Sequence, residues 1–510
     1  MKQLLFAIII LPGILLAQEP MAEVTGGKIQ GTQTEDGIQV FKGIPFAAPP
    51  VGELRWRAPQ PVEGWEGVRA CTDFGPSPMQ GPPRAFMYWS EEFLIPSEPI
   101  SEDCLYLNVW SGANESDEKR PVLVYIYGGG FRSGGTGCPI YDGEAMAQKG
   151  VVFVSLNYRV GVFGFLAHPE LSEEADYGTS GNYALLDMVA GLKWVQENIA
   201  AFGGDPDNVT IAGQSAGAFA VSYLTATPLA KGLFHRAIAQ SGGSFVNASL
   251  RPGTSLEEAE QRGEEFAIKS LGCESLEALR AKPALEILQA QGAPASPLID
   301  GYVLPHSNAQ IYQNGDQSDV PLLIGWNADD NVMFGTQSVE EFRGSMEEQF
   351  GEKADQMLQY YPLDTEEQAL NSQYAFGRDA AFGVQVYAWA HTQDQHSEAP
   401  VFVYNFNRRL PAHSPETDFG AFHSGEIVYA YDNLHTLDRP WEPIDHEIAD
   451  MMSDYWVNFA TSGDPNGGEL PEWKPFRKRG EQVLVIDTET RTQRLPTAVQ
   501  LRILMEHLGQ

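Results

Sequence analysis

Basic residues and cysteines are scarce in this chain of 510 residues. Lysine and arginine total 33 against 68 aspartates and glutamates, so the formal net charge is −35. A surface this acidic repels phosphate backbones and anionic lipid headgroups, which argues against nucleic-acid binding. The four cysteines, Cys71, Cys104, Cys138 and Cys273, form no C-x-x-C pair and no Cys/His cluster with zinc-site spacing. The sequence therefore predicts neither a nucleic-acid partner nor a metal site.

Long apolar runs are also missing beyond the N-terminus. Residues 1–17 combine the positive Lys2, an apolar stretch from Leu4 to Leu16 and the small residue Ala17. This pattern is typical of a signal peptide that is cleaved after Ala17, and the stretch is too short to span a bilayer comfortably. An N-terminal membrane anchor is the alternative. We therefore expect a secreted or periplasmic protein with no membrane insertion after cleavage.

Internal repeats are missing too, and apolar strand-like runs alternate with helical patterns along the chain. Continuous runs of Val, Ile, Leu and Tyr are typical of strands that helices cover on both faces. These runs lie at residues 122–127, 151–156, 209–212, 237–240, 322–325, 401–406 and 483–486. They predict one α/β domain over residues 18–510, with a large, mostly parallel central sheet between two layers of helices.

Four regions fall outside this alternation. Residues 250–320 and 338–400 are helical in pattern and predict a cap or a second lobe. Near the N-terminus, Lys28–Gly31 and Gly37–Phe41 surround a Thr-Glu-Asp turn and predict a hairpin in a small N-terminal sheet. Residues 71–104 are rich in proline, methionine and aromatic residues and predict a long loop.

The pentapeptide Gly213-Gln214-Ser215-Ala216-Gly217 directly follows the β-branched run Val209–Ile211. A strand, a small-residue turn and a helix in this order force the central serine into a strained elbow that exposes its Oγ. Upstream, the apolar run Val124–Tyr127 ends in Gly128-Gly129-Gly130, whose backbone N–H groups are able to point into a pocket. No Gly-Lys-Ser/Thr follows these glycines, which disfavours a phosphate loop. The two motifs predict a nucleophilic serine and an oxyanion hole.

A serine hydroxyl needs a base, and the base needs an orienting acid. Where an elbow serine of this kind is catalytic, the acid and then the histidine follow it in the chain. Asp329 and Asp330 come just after the apolar run Leu322–Gly325, and His423 lies further on in a loop of small residues. Asp329 and Asp330 are both candidates for the acid, and His423 is the candidate base, with His413 as the alternative.

Several other short motifs occur in order along the chain. They are Gly43-Ile44-Pro45-Phe46, Pro49-Pro50-Val51-Gly52, Glu102-Asp103-Cys104-Leu105-Tyr106-Leu107-Asn108-Val109, Tyr127-Gly128-Gly129-Gly130-Phe131, Asn157-Tyr158-Arg159-Val160-Gly161, Phe202-Gly203-Gly204-Asp205-Pro206, Trp456-Val457-Asn458-Phe459-Ala460 and Gly463-Asp464-Pro465-Asn466. With the serine pentapeptide they make the chain resemble the type-B carboxylesterase family, which includes para-nitrobenzyl esterases, cholinesterases and some fungal lipases. The resemblance implies an α/β-hydrolase fold and hydrolysis of carboxylic esters without a cofactor.

The resemblance also implies roles for individual residues. Ser215 is then the nucleophile, His423 the general base and acid, and Asp330 the acid that orients His423. The oxyanion-hole donors are then the backbone N–H groups of Gly129, Gly130 and Ala216. Ser241 matches a serine that supports this region in the family, and a plain turn residue is the alternative.

Two positions depart from the family's pattern. The family commonly has histidine before the three glycines, where this chain has Tyr127. Because the donors belong to glycine backbone, we expect the oxyanion hole to survive this change. The acid is most often glutamate in the family, and Asp330 is one methylene shorter, so it must sit closer to the histidine or shift its loop.

The loop of residues 71–104 is expected to matter for both stability and substrate. The resemblance implies a Cys71–Cys104 disulfide that closes this loop, with Cys138 and Cys273 either paired or free. The aromatic and methionine residues of the loop predict that it roofs the active site and favours apolar or aromatic esters. The alternative is that these side chains only pack the loop against the protein.

Together these observations predict a secreted serine carboxylesterase that hydrolyses a small-molecule ester through an acyl-enzyme. A lipase acting on longer-chain lipid esters is one alternative. A non-catalytic interaction module of the same fold is the other. The sequence indicates no particular oligomeric state.

Overall fold

A computed structural model describes residues 19–246, 253–332 and 335–509 of the chain. The predicted signal peptide at residues 1–17 lies outside these residues. The strands are β1 Met21–Val24, β2 Gly27–Gln30, β3 Thr32–Gln33, β4 Gln39–Pro45, β5 Val68–Ala70, β6 Ser77–Pro78, β7 Ile100–Ser101, β8 Tyr106–Ser111, β9 Arg120–Ile126, β10 Val152–Leu156, β11 Gly204–Gln214, β12 Arg236–Gln240, β13 Leu322–Asn327, β14 Val401–Phe406, β15 Gln482–Ile486 and β16 Arg491–Arg494. The α-helices are α1 Glu144–Gln148, α2 Gly161–Phe165, α3 Pro169–Glu174, α4 Tyr183–Asn198, α5 Ala216–Ala226, α6 Leu256–Leu271, α7 Leu276–Arg280, α8 Ala284–Gln289, α9 Asn308–Asn314, α10 Val339–Phe350, α11 Ala354–Leu358, α12 Glu366–Arg378, α13 Val384–His396, α14 Ile427–Ala430, α15 Pro443–Ser462 and α16 Ala498–Leu508.

An eleven-stranded sheet in the order β16-β15-β14-β13-β12-β11-β9-β10-β8-β4-β3 forms the centre of the molecule. Each neighbouring pair from β10 through β9, β11, β12, β13 and β14 to β15 is parallel, and the pairs nearer the two edges are antiparallel. Every residue of β10 and of β13 is buried, as strands covered by helices on both faces require. The predicted α/β fold with a mostly parallel sheet is confirmed.

A small three-stranded sheet, β1-β2-β5, lies at the N-terminus, as predicted. The predicted hairpin of Lys28–Gly31 with Gly37–Phe41 is wrong, because β2 pairs with β1, whereas β4 pairs with β3 and β8 of the large sheet. The chain passes from one sheet to the other at Gly31, where a Cβ would lie 2.4 Å from the carbonyl oxygen of Val40. Only glycine permits this close crossing.

The two regions with helical patterns fold as α6–α9 and α10–α13. A π-helical segment, Asp379–Gly383, joins α12 to α13. No helix within the described ranges has both the length and the apolar character needed to cross a bilayer.

Parallel strands bring separate parts of the chain to one edge of the sheet. β11, β13 and β14 end at residues 214, 327 and 406, and the segments that follow them carry Ser215, Asp330 and His423. In open α/β sheets, ligands bind outside the carboxyl ends of the strands. The fold therefore gathers the three predicted site residues at this edge.

Candidate active site

Ser215 occupies the elbow between β11 and α5 with φ 56° and ψ −124°, a backbone conformation that residues other than glycine rarely adopt. The flanking glycines make the elbow possible. A Cβ at Gly217 would lie 2.0 Å from the carbonyl oxygen of Ile126, and one at Gly213 would lie 2.5 Å from the backbone of Gly217. The pentapeptide is therefore required by sterics, and it leaves Ser215 on the wall of a cavity.

His423 and Asp330 are both buried and lie in direct contact. The distance from His423 Nδ1 to Asp330 Oδ1 is 2.5 Å. The other carboxylate oxygen of Asp330 accepts the backbone N–H of Asn327 at 3.0 Å. Because an ionised carboxylate only accepts hydrogen bonds, Nδ1 donates and the imidazole is held in one orientation.

The two alternative residues lie elsewhere. Asp329 is partly exposed and accepts the backbone N–H of Ala421 at 2.8 Å, so it fixes the loop that carries the histidine without contacting the ring. His413 is exposed, and its Nε2 lies 3.2 Å from the carbonyl oxygen of Asp438. The structure thus pairs Asp330 with His423. Asp329 does not contact the imidazole of His423, and His413 does not contact Asp330.

The imidazole of His423 is enclosed by aromatic rings. The ring of Phe382, in the π-helical segment, stacks on it at 4.7 Å between centroids, and Trp89 meets it edge-on at 6.2 Å. The amide nitrogen of Gln214 lies 3.3 Å from His423 Nε2. Since Nδ1 donates to Asp330, Nε2 of the neutral ring carries the lone pair and is able to accept a proton.

The glycine loop after β9 supplies free backbone donors. The N–H groups of Gly129 and Gly130 donate to no residue that the structure describes, and both glycines line the cavity. Ala216 is the first residue of α5, where helical N–H groups have no partner within the helix. Tyr127 points away into the core, where its ring stacks on Tyr158 at 4.4 Å, so the tyrosine leaves the donors undisturbed.

A cavity of about 600 Å³ contains these groups, within the range usual for small-molecule sites. Its lining comprises Gln80, Gly81, Pro82, Pro83, Arg84, Phe86, Trp89, Phe93, Leu94, Ile95, Gly128, Gly129, Gly130, Ser133, Gly134, Cys138, Tyr141, Gln214, Ser215, Ala216, Phe219, Val332, Phe382, His423 and Ser424. Most of these side chains are apolar or small. Among the described residues, no three His, Cys, Asp or Glu side chains are grouped so as to hold a metal ion.

Residues between 80 and 95, in the loop of residues 71–104, line this cavity, and the loop is attached to the loops of the acid and the histidine. The hydroxyl of Tyr88 donates to the carbonyl oxygen of Asn331 at 2.8 Å, and its ring stacks on Phe422 at 5.0 Å. Trp89 Nε1 lies 3.4 Å from Ser424 Oγ. The loop therefore supports the residues on either side of His423 as well as lining the substrate space.

Glu426 is a further acidic group behind the site, and sequence reasoning assigned it no role. It is fully buried, and its carboxylate accepts the side-chain amides of Asn327 at 2.5 Å and Gln240 at 3.2 Å. Burial, and then the negative charge of Asp330, raise the pKa of Glu426 to about 7. Ser241 directly follows Gln240, and its buried Oγ has no hydrogen-bond partner among the described residues. The feature of the sequence that pointed to a role for Glu426 is its position three residues after His423.

All four cysteines are buried and unbonded, so the implied Cys71–Cys104 disulfide is wrong. The two thiols have different surroundings. The backbone of Cys71 bonds to Gln30 and Lys42 beside the small sheet, whereas Cys104 lines a small internal cavity with Arg159. Burial raises the pKa of the Cys71 thiol to about 11, which keeps it protonated and unreactive.

Comparison with known proteins identifies the family. The model of the carboxylesterase family matches residues 18–504. The chain is 37% identical to fumonisin B1 esterase of Sphingopyxis macrogoltabida over 483 residues, which is 89% of this chain and 84% of that protein. It is 34% identical to para-nitrobenzyl esterase of Bacillus subtilis (strain 168) over 503 residues, or 95% of this chain and 98% of that protein.

A solved structure of a PNB esterase superposes with a TM-score of 0.79 and 33% sequence identity, covering 96% of this chain and 100% of that chain. The family model, the two related esterases and the superposed esterase structure are all consistent with an ester-binding cavity lined by Ser215 and His423. The chain belongs to the carboxylesterase family and is a carboxylic ester hydrolase.

Proposed function

We propose that the protein hydrolyses carboxylic esters by two-step acyl transfer at Ser215. His423 accepts the proton of the Ser215 hydroxyl as the oxygen attacks the ester carbonyl, and Asp330 stabilises the imidazolium that forms. The tetrahedral oxyanion is held by the backbone N–H groups of Gly129, Gly130 and Ala216. Because these donors are fixed by the fold, they need little rearrangement as the charge develops.

In the first step the C–O bond to the alcohol breaks and His423 returns its proton to the departing oxygen. Ser215 is left as an acyl ester. In the second step a water molecule gives its proton to His423 and attacks the acyl carbonyl, and the Ser215 oxygen leaves with that proton. The products are the alcohol and the carboxylic acid.

The observation that supports this assignment most is the 2.5 Å contact between His423 and Asp330, made by two buried side chains beside the cavity that Ser215 also lines. A buried histidine–carboxylate pair also occurs as a purely structural contact. Here the N–H groups of Gly129 and Gly130, which have no partner among the described residues, belong to the same cavity, and a structural pair does not require them.

Covalent labelling tests the nucleophile directly. A fluorophosphonate probe reacts with an activated serine, so peptide mapping of the labelled protein is expected to find the adduct on Ser215. The Ser215→Ala variant is expected to lose labelling and p-nitrophenyl acetate turnover while keeping its melting temperature. A label on another residue, or full turnover by the variant, would contradict the proposal.

The apolar lining favours esters of modest size over long-chain lipids. A cavity of about 600 Å³ has room for a short acyl chain and an aromatic alcohol, whereas most of a long lipid chain would lie outside it. We expect kcat/KM for p-nitrophenyl esters to fall as the acyl chain grows beyond about eight carbons. A steady rise up to palmitate, with activation at a lipid–water surface, would instead identify a lipase.

Export of the protein is a separate part of the proposal, and it is supported by the pattern of residues 1–17 alone. N-terminal sequencing of protein purified from cells that express the full chain is expected to begin at Gln18. Protein that still begins at Met1 and sediments with the membrane would identify residues 1–17 as an anchor. The catalytic unit is then the single domain of residues 18–510.

A further inference from the structure

The catalytic cavity is unlike the rest of this acidic molecule in its charge. Of the described residues that line it, none is aspartate or glutamate, and Arg84 is the side chain that carries a permanent charge. Arg84 is exposed and makes no ion pair with a described residue. In a protein whose formal net charge is −35, a cavity without an acidic lining residue is a marked local departure.

A second concavity of about 410 Å³, the basic groove, is lined by Arg132, Arg262 and Lys269. Among the described residues that line the groove, the one carboxylate is that of Glu265, which pairs with Lys269 at 3.1 Å. The side chains of Arg132 and Arg262 are exposed and make no ion pair or hydrogen bond with the residues that the structure describes. Two positive charges in the groove are therefore left without a local partner.

One loop borders both the cavity and the basic groove. Gly130 and Ser133 line the cavity, whereas Arg132, between them in the chain, lines the groove. The loop is anchored by Phe131, which is fully buried and packs on Phe165 at 5.3 Å. An arginine of the groove thus lies within two residues of a proposed oxyanion donor.

The loop that carries Arg84 is joined to the loop that carries Arg132. The side-chain amide of Gln80 donates to the carbonyl oxygen of Gly134 at 2.7 Å and accepts its N–H at 2.8 Å. Arg84 follows Gln80 by four residues, and Arg132 precedes Gly134 by two. Arg84 and Arg132 therefore belong to two loops that are hydrogen-bonded to each other, next to the cavity that Ser215 lines.

We propose that the ester substrates of this protein carry an anionic group, which the basic groove binds while the carbonyl lies at Ser215. Planar guanidinium groups match a carboxylate, sulfate or phosphate monoester and form strong charge-assisted hydrogen bonds with it. The acidic surface repels an anionic ester at long range, so these local cations are what make its binding possible. The inference rests on the proposed ester hydrolysis at Ser215.

Matched esters test this preference. The anion is placed on the alcohol side in 4-acetoxybenzoate, with 4-acetoxybenzamide as its neutral counterpart. It is placed on the acyl side in the monophenyl ester of adipic acid, with phenyl hexanoate as its neutral counterpart. We expect the wild-type protein to favour the anionic member of one pair, and the pair that responds identifies the side of the ester that bears the charge.

The variants are Arg132→Gln and Arg262→Gln, both in the basic groove, with Arg343→Gln as the control. Arg343 is exposed on α10 and lines neither the cavity nor the groove. Its replacement by glutamine changes the net charge of the protein by the same amount as each test variant does. Each test variant is expected to lower kcat/KM for the favoured anionic ester about threefold to tenfold, mainly through KM, and to leave the neutral ester unchanged.

Equal effects on anionic and neutral esters, or an equal effect of Arg343→Gln, would overturn the inference. The neutral esters separate this outcome from failure of the proposed function. If the wild-type protein hydrolyses them and Ser215→Ala does not, the function stands whatever the arginine variants show. If no ester of either kind is hydrolysed at Ser215, the function itself fails.

Discussion

At the scale of single residues, two neighbouring carboxylates have opposite environments. Asp330 is fully buried against His423, whereas Asp329 is partly exposed and accepts a backbone N–H from Ala421. The sequence placed both just past β13 and left their order of preference to the family resemblance. Only the direction in which each side chain points separates them, and that direction depends on the turn after Asn327.

Asparagine substitutions distinguish these two roles. Asp330→Asn replaces an acceptor by an amide that no longer fixes the imidazole tautomer, so kcat for p-nitrophenyl butyrate is expected to fall about 10³-fold to 10⁴-fold. Asp329→Asn keeps an oxygen for the Ala421 N–H and is expected to leave kcat close to the wild-type value. Equal losses in the two variants would show that both carboxylates act on His423.

The buried carboxyl of Glu426 makes stability depend on pH. Its pKa is raised from 4.5 to about 7 in the folded protein, by burial first and by the charge of Asp330 second. In the unfolded chain the group loses its proton near its ordinary pKa of about 4.3. Between these values the folded state binds more protons, so rising pH favours the unfolded state.

Glu426→Gln removes this titration. Relative to the variant, the free energy of unfolding of the wild-type protein is expected to fall by about 2 kcal/mol between about pH 5.5 and about pH 8. Urea denaturation of both proteins at the two pH values measures the difference. The comparison cancels the other titrating groups, and a difference that does not change with pH would contradict the raised pKa.

At the scale of elements, the elbow between β11 and α5 is the least tolerant connection. Gly217→Ala places a Cβ at 2.0 Å from the Ile126 carbonyl oxygen, which belongs to the neighbouring strand β9 and has no room to move. We expect this variant to lose more than about 100-fold in kcat, because a displaced Ser215 no longer meets the base and the donors together.

Gly344→Ala is the matched control. Gly344 lies inside α10, and a Cβ added there would have no atom within 4 Å apart from its chain neighbours and the adjacent backbone of its own helix. Alanine in a helix interior is more favourable than glycine by about 0.5–1 kcal/mol, so this variant is expected to melt slightly higher with unchanged kcat. Thermal melts and turnover of the two variants, measured side by side, test whether the elbow or glycine content in general is responsible.

Most elements of the fold were predictable because the apolar residues of each run indicate that the element is buried. Runs such as Val401–Phe406 lack polar alternation, so they had to be strands covered on both faces, and the structure confirms them. The prediction of an N-terminal hairpin failed because the alternation of apolar residues and the turn residues do not indicate which sheet a strand joins. That choice depends on the crossing at Gly31. The local sequence pattern therefore predicts where a strand lies better than it predicts which strand it pairs with.

The site was predictable to the same extent. The serine elbow and the glycine loop are local in sequence, and His423 and Asp330 follow the order expected after such an elbow. The environment of Glu426 was not predictable, because its burial arises from contacts with β12 and β13, far away in the chain. The unbonded cysteines likewise depend on tertiary surroundings that spacing does not reveal.

At the scale of the whole molecule, charge repulsion works against the compact state. A formal net charge of −35 places many carboxylates closer together than in the unfolded chain. Raising NaCl from about 20 mM to about 0.5 M shortens the range of this repulsion, so the melting temperature at neutral pH is expected to rise. Buried pairs such as Arg159–Asp187 are screened little, and a fall in melting temperature would show that surface ion pairs outweigh the repulsion.

The unbonded cysteines have a practical consequence for whoever makes this protein. Since no sulfur–sulfur bond holds the loop of residues 71–104, its closure over the cavity relies on contacts such as those of Tyr88 and Trp89. Production of residues 18–510 in a reducing bacterial cytosol needs neither a thiol oxidase nor a disulfide isomerase. Dithiothreitol in a purification buffer leaves the loop's attachment intact.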